Sequence, residues 1–134
     1  MKQNISAVTL LVPGYDEAIA YYVGKLGFEL VEDTALSATR RWVIVAPPRY
    51  SETGLLLAQA DSPEQRAAIG NQSGGRVFLI LKTDDFDRDY ARFQKAGIEF
   101  LEEPRREAYG KVVVFRDAFG NKWDLIEPLA NPPA

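Results

Sequence analysis

Cysteine and histidine are both absent from the 134 residues. Their absence removes disulfides, thiolate nucleophiles, Cys/His zinc sites and every mechanism built on an imidazole base. Acid-base chemistry is left to Asp, Glu, Lys, Tyr or Arg. No apolar run approaches the roughly 18–20 residues of a membrane-spanning helix, and the chain opens on the polar stretch Met1-Lys-Gln-Asn-Ile-Ser6. The expectation is a cytoplasmic protein with no membrane partner. Basic charge is also in deficit: 16 Lys and Arg against 19 Asp and Glu leave a net charge of -3. Nucleic-acid binding by counterion release needs a basic face, so no nucleic-acid partner is expected. The glycine-rich stretch Gly70-Asn-Gln-Ser-Gly-Gly75 lacks the lysine and helix context of a phosphate-binding loop and reads as linker. What is present is ordinary for a small globular chain, 46% hydrophobic and 26% charged.

The apolar pattern divides the chain in two. Ile5–Val12 reads as a strand stopped by Pro13-Gly14. Tyr15-Asp16 offers an N-cap, and Ile19, Tyr22, Val23 and Leu26 fall on one helical stripe that ends at Gly27. Tyr21 falls off that stripe. Strands are predicted at Phe28–Val31, Thr39–Ala46 and Gly54–Gln59, with a loop at Pro47–Ser51. Residues 61–75 form the linker, with a short helical possibility at Glu64–Ile69. The order then restarts: a strand over Arg76–Lys82, a cap at Thr83-Asp84-Asp85, a helix with Phe86, Tyr90 and Phe93 on one stripe and Gly97 at its end. Further strands are predicted at Ile98–Glu102, Lys111–Arg116 and Lys122–Ile126. Leu26-Gly-Phe-Glu-Leu30 meets Ala96-Gly-Ile-Glu-Phe100 at an offset of 70. Matching element order and glycine placement argue for an internal duplication, module 5–60 and module 76–128 joined by linker 61–75.

Asp16-Glu-Ala-Ile-Ala-Tyr-Tyr-Val-Gly-Lys-Leu-Gly-Phe-Glu-Leu30 and Phe115-Arg-Asp-Ala-Phe-Gly-Asn-Lys-Trp-Asp-Leu-Ile-Glu127 carry a resemblance. The chain resembles the vicinal oxygen chelate superfamily, the glyoxalase, bleomycin-resistance and dioxygenase group, from Ile5 to Pro128. Ala118 stands where that family's terminal hairpin usually has proline. The resemblance implies an α+β fold of two tandem βαβββ modules, each curled into a half-open barrel, with a ligand cleft and a homodimer. It also implies a divalent metal held by His and Glu at positions that fall here on Ala7, Leu57, Arg76 and Asp124. Of these only Asp124 is an oxygen donor, so the expectation is no metal and no cofactor.

The cleft candidates are Arg76, Asp124, Phe78, Trp42, Phe115 and Tyr109. Arg76 and Asp124 are expected on neighbouring strands, as a ligand-anchoring pair or as an ion pair filling the vacated metal position. The aromatics line an apolar cavity or belong to the core, and Tyr109 is a candidate lid residue. Arg40-Arg41 and Arg105-Arg106 read as charged edges from which one member could point inward. Two functions stay open: a metal-independent binder of a small hydrophobic or planar molecule, and a glyoxalase- or dioxygenase-type enzyme acting on a small molecule.

Overall fold

Pro13-Gly14 stops the first strand as the sequence requires, and from there each half builds one sheet with a principal helix packed on it. The structure, a computed structural model, describes residues 1–49 and 52–129. Of the expected loop at 47–51, Tyr50 and Ser51 lie outside the described residues. The chain divides into two compact units, Met1–Ile69 and Gly70–Ala134.

The first unit contains β1 (Ala7–Val12), α1 (Tyr15–Ile19), β2 (Glu29–Ala35), β3 (Arg41–Ala46), β4 (Gly54–Gln59) and the short α2 (Pro63–Ala68). Its sheet order is β1-β4-β3-β2, with β1 parallel to β4 and the other pairs antiparallel. Leu10, Val12, Val43, Val45 and Leu57 form the buried face. Helix α1 starts after Gly14, one residue earlier than the expected cap, and continues as a π-helix over Ala20–Lys25. The Leu26 N–H reaches back five residues to the Tyr21 carbonyl. Such bonds widen the turn, which is why Tyr21 is buried beside Tyr22 although a 3.6-residue period places it off the stripe. The two rings meet edge to face at 5.2 Å.

The second unit contains β5 (Leu79–Lys82), α3 (Phe86–Ala96), β6 (Glu99–Phe100), β7 (Arg105–Glu107), β8 (Gly110–Arg116) and β9 (Lys122–Pro128). Its order, β5-β9-β8-β6 with β7 also on β8, repeats that of the first unit, including a parallel first and last strand. Helix α3 is capped by the Asp85 carboxylate on the Arg88 N–H and ends at Gly97 with φ 83°, a left-handed residue that glycine adopts without strain. Phe93 packs on Phe115, which stacks on Trp123. The fold is α+β, two sheets with few helices. Where one strand was expected over Ile98–Glu102, two short strands flank Pro104, whose missing N–H interrupts the ladder.

The β8–β9 hairpin is held from inside its turn. The Asp117 carboxylate accepts hydrogen bonds from the Phe119 and Asn121 backbone N–H groups, the Asn121 amide and the Trp123 indole, all at 3.0–3.3 Å. Gly70 lies so close that a Cβ there would stand 2.6 Å from the Phe119 carbonyl oxygen. Asp117 is 5% exposed. Asp117→Ala strands several of these donors and is expected to cost about 3 kcal/mol in urea unfolding, given about 1–3 kcal/mol for each buried unsatisfied group. A loss under about 1 kcal/mol contradicts the role.

Candidate functional site

Side chains alternate across each sheet, so the strands that bury one face beneath a helix present a second face without one. In the first unit, register places Thr9 beside Leu56 and Leu56 beside Ile44. Alternation adds Ala7, Trp42 and Ala58 to this face. Pairing of β3 with β4 stops at Val43 and Leu57, and beyond that point the strands part. A cavity of about 270 Å³ lies there, lined by Tyr15, Leu36, Arg41, Trp42, Leu56 and Ala58 among others. Trp42 is 40% exposed. Arg41 bonds Asp33 through Nε and Nη2 at 3.1 and 2.7 Å and Asp16 through Nη1 at 2.8 Å. The Arg41 hydrogen bonds hold the Asp33 carboxyl below its ordinary range.

In the second unit, Ile80 and Val114 flank Asp124 on either side in register. Ile80 is 69% exposed. Phe78 donates its backbone N–H to the Lys122 carbonyl, extending the β5–β9 ladder by one residue, so alternation gives Phe78 the Asp124 face. Phe115 does not share it. It pairs with Trp123 and is fully buried against Phe93, because one residue along a strand reverses the side chain. Tyr109 is half exposed just before β8, and its carbonyl accepts the Leu129 N–H at 3.1 Å.

Arg76 and Asp124 are not a pair. Arg76 is exposed in a bend before β5, its carbonyl held by the Ser73 hydroxyl, and among the described residues no ion pair joins it to Asp124. The chain enters β5 through Gly74 and Gly75, both with positive φ, and straightens only afterwards. The cation that acts on Asp124 is Arg105. From β7, Arg105 pairs with Val112 on the same face and bonds Glu102 at 2.9 Å and Glu107 at 2.6 Å. Glu102 also accepts the Val114 N–H at 3.1 Å. Hydrogen bonds that Arg105 donates to Glu107, Tyr109 and Glu102 push its pKa above the ordinary value. Sequence reasoning left Arg105 as one of a charged pair. Pro104 was the available signal, since it marks an irregular edge strand at that point.

Asp124 has one fully buried carboxylate oxygen without a hydrogen-bond partner. Burial pushes its pKa up, Arg105 opposes the rise and Glu102 adds to it. The position equivalent to the first sheet's last-strand ligand, Leu57, faces the core at 1% exposure, and its neighbours Leu56 and Ala58 carry no donor. With Ala7 also donor-free and Arg76 a permanent cation, the set does not fit a divalent metal. Among the described residues no group of three acidic side chains is arranged to hold one.

A family model described as the Glyoxalase/Bleomycin resistance protein/Dioxygenase superfamily matches residues 4–125, and the chain belongs to that family. An uncharacterized protein of Shewanella frigidimarina (strain NCIMB 400) is 54% identical over 128 residues, 95% of each chain. Among solved structures, UcmS2 is 30% identical with a TM-score of 0.81, covering 94% of this chain and 98% of that one. TnmS3, an antibiotic binding protein from Streptomyces sp. CB03234, is 29% identical with a TM-score of 0.76, covering 96% and 98%.

Because the folded-state pKa of Asp124 is raised, the native protein holds that proton more tightly than the unfolded chain does. The ionised carboxylate therefore costs stability above the folded pKa, and the cost disappears as pH falls through it. Asp124→Asn is expected to be at least as stable as the parent at pH 7, with the difference shrinking toward pH 4. Urea unfolding at both pH values checks this, and a variant less stable at pH 7 contradicts it.

Proposed function

We propose that this protein is a metal-independent binder of a small hydrophobic or planar molecule, held at the cavity beside Trp42. The observation that supports this reading most is the cavity beside Trp42, mainly apolar with Arg40 and Arg41 at its edge, in a chain with a donor at only one of its four metal positions. Ligand sites in general combine apolar walls with a few placed polar groups. The antibiotic binding described for TnmS3, a relative at 29% identity, agrees with it. The remaining candidates belong to the second unit: Asp124 and Phe78 share one sheet face there, Tyr109 stands at the β8 entry, and Arg105 replaces Arg76 as the cation beside Asp124. We also propose a cytoplasmic homodimer in which the second copy covers apolar side chains such as Ile80.

One observation favours an enzyme instead. A carboxyl raised by burial, with a cation and a second carboxylate beside it, is the kind of group found at catalytic centres. In that reading Asp124 moves a proton on a small molecule in a lyase- or oxidoreductase-type reaction, and the ligand emerges chemically altered.

Titration with a panel of planar aromatic antibiotics, followed by tryptophan fluorescence, separates the readings. Trp42 is half exposed and Trp123 is 3% exposed, so saturable quenching is expected to vanish in Trp42→Phe. Trp42→Ala is expected to weaken binding at least about tenfold, from an aromatic burial worth about 1.5–3 kcal/mol. Recovery of unchanged ligand supports the binder, and turnover supports the enzyme. No quenching by any member overturns the proposal. Light scattering is expected to give about 30 kDa, twice the chain mass of 15.0 kDa, as for a two-fold dimer. A stable 15.0 kDa species contradicts the dimer.

A further inference from the structure

The cavity beside Trp42 does not end in apolar surface. A second cavity of about 200 Å³ adjoins it, lined by Tyr15, Thr39, Arg40, Gln59 and Asp61, and the two share Tyr15 and Arg40. The first is walled by Leu36, Trp42, Leu56 and Ala58. The second is mainly polar, with Tyr15 as its aromatic wall.

The two arginines at this seam differ in their commitments. Arg41 spends its guanidinium on Asp33 and Asp16. Arg40 has a single ion-pair partner among the described residues, Asp61 at 3.6 Å, well beyond the roughly 2.7–2.9 Å of a charge-assisted hydrogen bond. Both members of that pair are exposed, at 69% and 58%, and exposed pairs hold each other weakly. The Arg40 fork, the Thr39 hydroxyl and the Gln59 amide therefore offer donors around one loosely held acceptor. Planar bidentate recognition by arginine suits a carboxylate.

We propose that this seam selects a planar aromatic carboxylate, with the ring against Trp42 and Leu56 and the carboxylate on Arg40, Thr39 and Gln59. The proposal rests on the binding reading above and names the chemical class of its ligand. Asp61 competes with the incoming carboxylate for Arg40, so it limits affinity and is displaced when the ligand enters.

The test compares 2-naphthoate with its neutral counterpart 2-naphthalenemethanol by isothermal titration. The parent protein is expected to bind naphthoate about tenfold more tightly, the fold-change of a single charge-assisted hydrogen bond near a surface. Arg40→Gln is expected to remove that margin while leaving the alcohol unchanged, and Asp61→Asn to widen it by freeing Arg40. Both side chains are exposed, so neither change should affect folding. Equal binding of the two probes to the parent, a margin that survives Arg40→Gln, or a margin narrowed by Asp61→Asn overturns the carboxylate assignment and leaves the binding reading standing. Failure of both probes to bind overturns the carboxylate assignment, and the antibiotic panel then decides the binding reading by itself.

Discussion

Each sheet in this protein buries one face beneath a principal helix, α1 or α3, and that covered face governs the rest. In the first unit Leu10, Val12, Val43, Val45 and Leu57 bury themselves on the α1 side; in the second, Val113, Phe115, Trp123 and Leu125 do so under α3. Burial of such side chains is worth about 1.5–3 kcal/mol each and fixes strand register, because a slip by one residue would exchange the faces. With register fixed, the identity of every residue on the second face is also fixed. Thr9, Ile44, Leu56 and Ala58 in one sheet, and Ile80, Val114 and Asp124 in the other, are where they are because their neighbours are in the core.

The same constraint explains which parts of the fold were readable from the chain. Helices ending at Gly27 and Gly97, both with φ near +80°, and strands stopped by Pro13-Gly14 follow from local chemistry. The π-helical turn over Ala20–Lys25 did not, because its signal is a cooperative shift of backbone bonds that lets two adjacent tyrosines reach one core. The parallel pairing of β1 with β4 and of β5 with β9 is likewise a property of the assembled sheet, invisible to periodicity.

At the candidate site the sequence identified Asp124 and Trp42 as residues of interest and misplaced their surroundings. Alternation separates Phe115 from Asp124 once the β8–β9 register is known, and pattern alone could not supply that register. Arg76 was expected beside Asp124 on the assumption that β5 began at residue 76. Two glycines with left-handed backbone delay the strand by three residues, and the guanidinium is left outside. Arg105 takes its place from a three-residue strand after Pro104, a segment too short to announce itself by alternation. Long, strongly patterned elements were legible. Short elements that depend on their partners for hydrogen bonds were not.

That division bears on how such a site changes its chemistry. A metal centre demands donors at fixed positions on several strands, whereas a face of apolar residues demands only alternation, which the core already enforces. Replacing donors with Ala7 and Leu57 therefore leaves the architecture intact, since neither position helps hold the hairpin at Asp117 or the α3 cap at Asp85. Asp124 is the exception, a carboxylate kept at a half-buried position where an apolar side chain would cost nothing in hydrogen bonds. Its orphaned oxygen burdens folding, and Arg105 only partly offsets that burden because Glu102 and Glu107 already engage the same guanidinium. Asp124 is thus the place where local chemistry and the stability of the scaffold disagree, the kind of position at which such conflicts mark function in general.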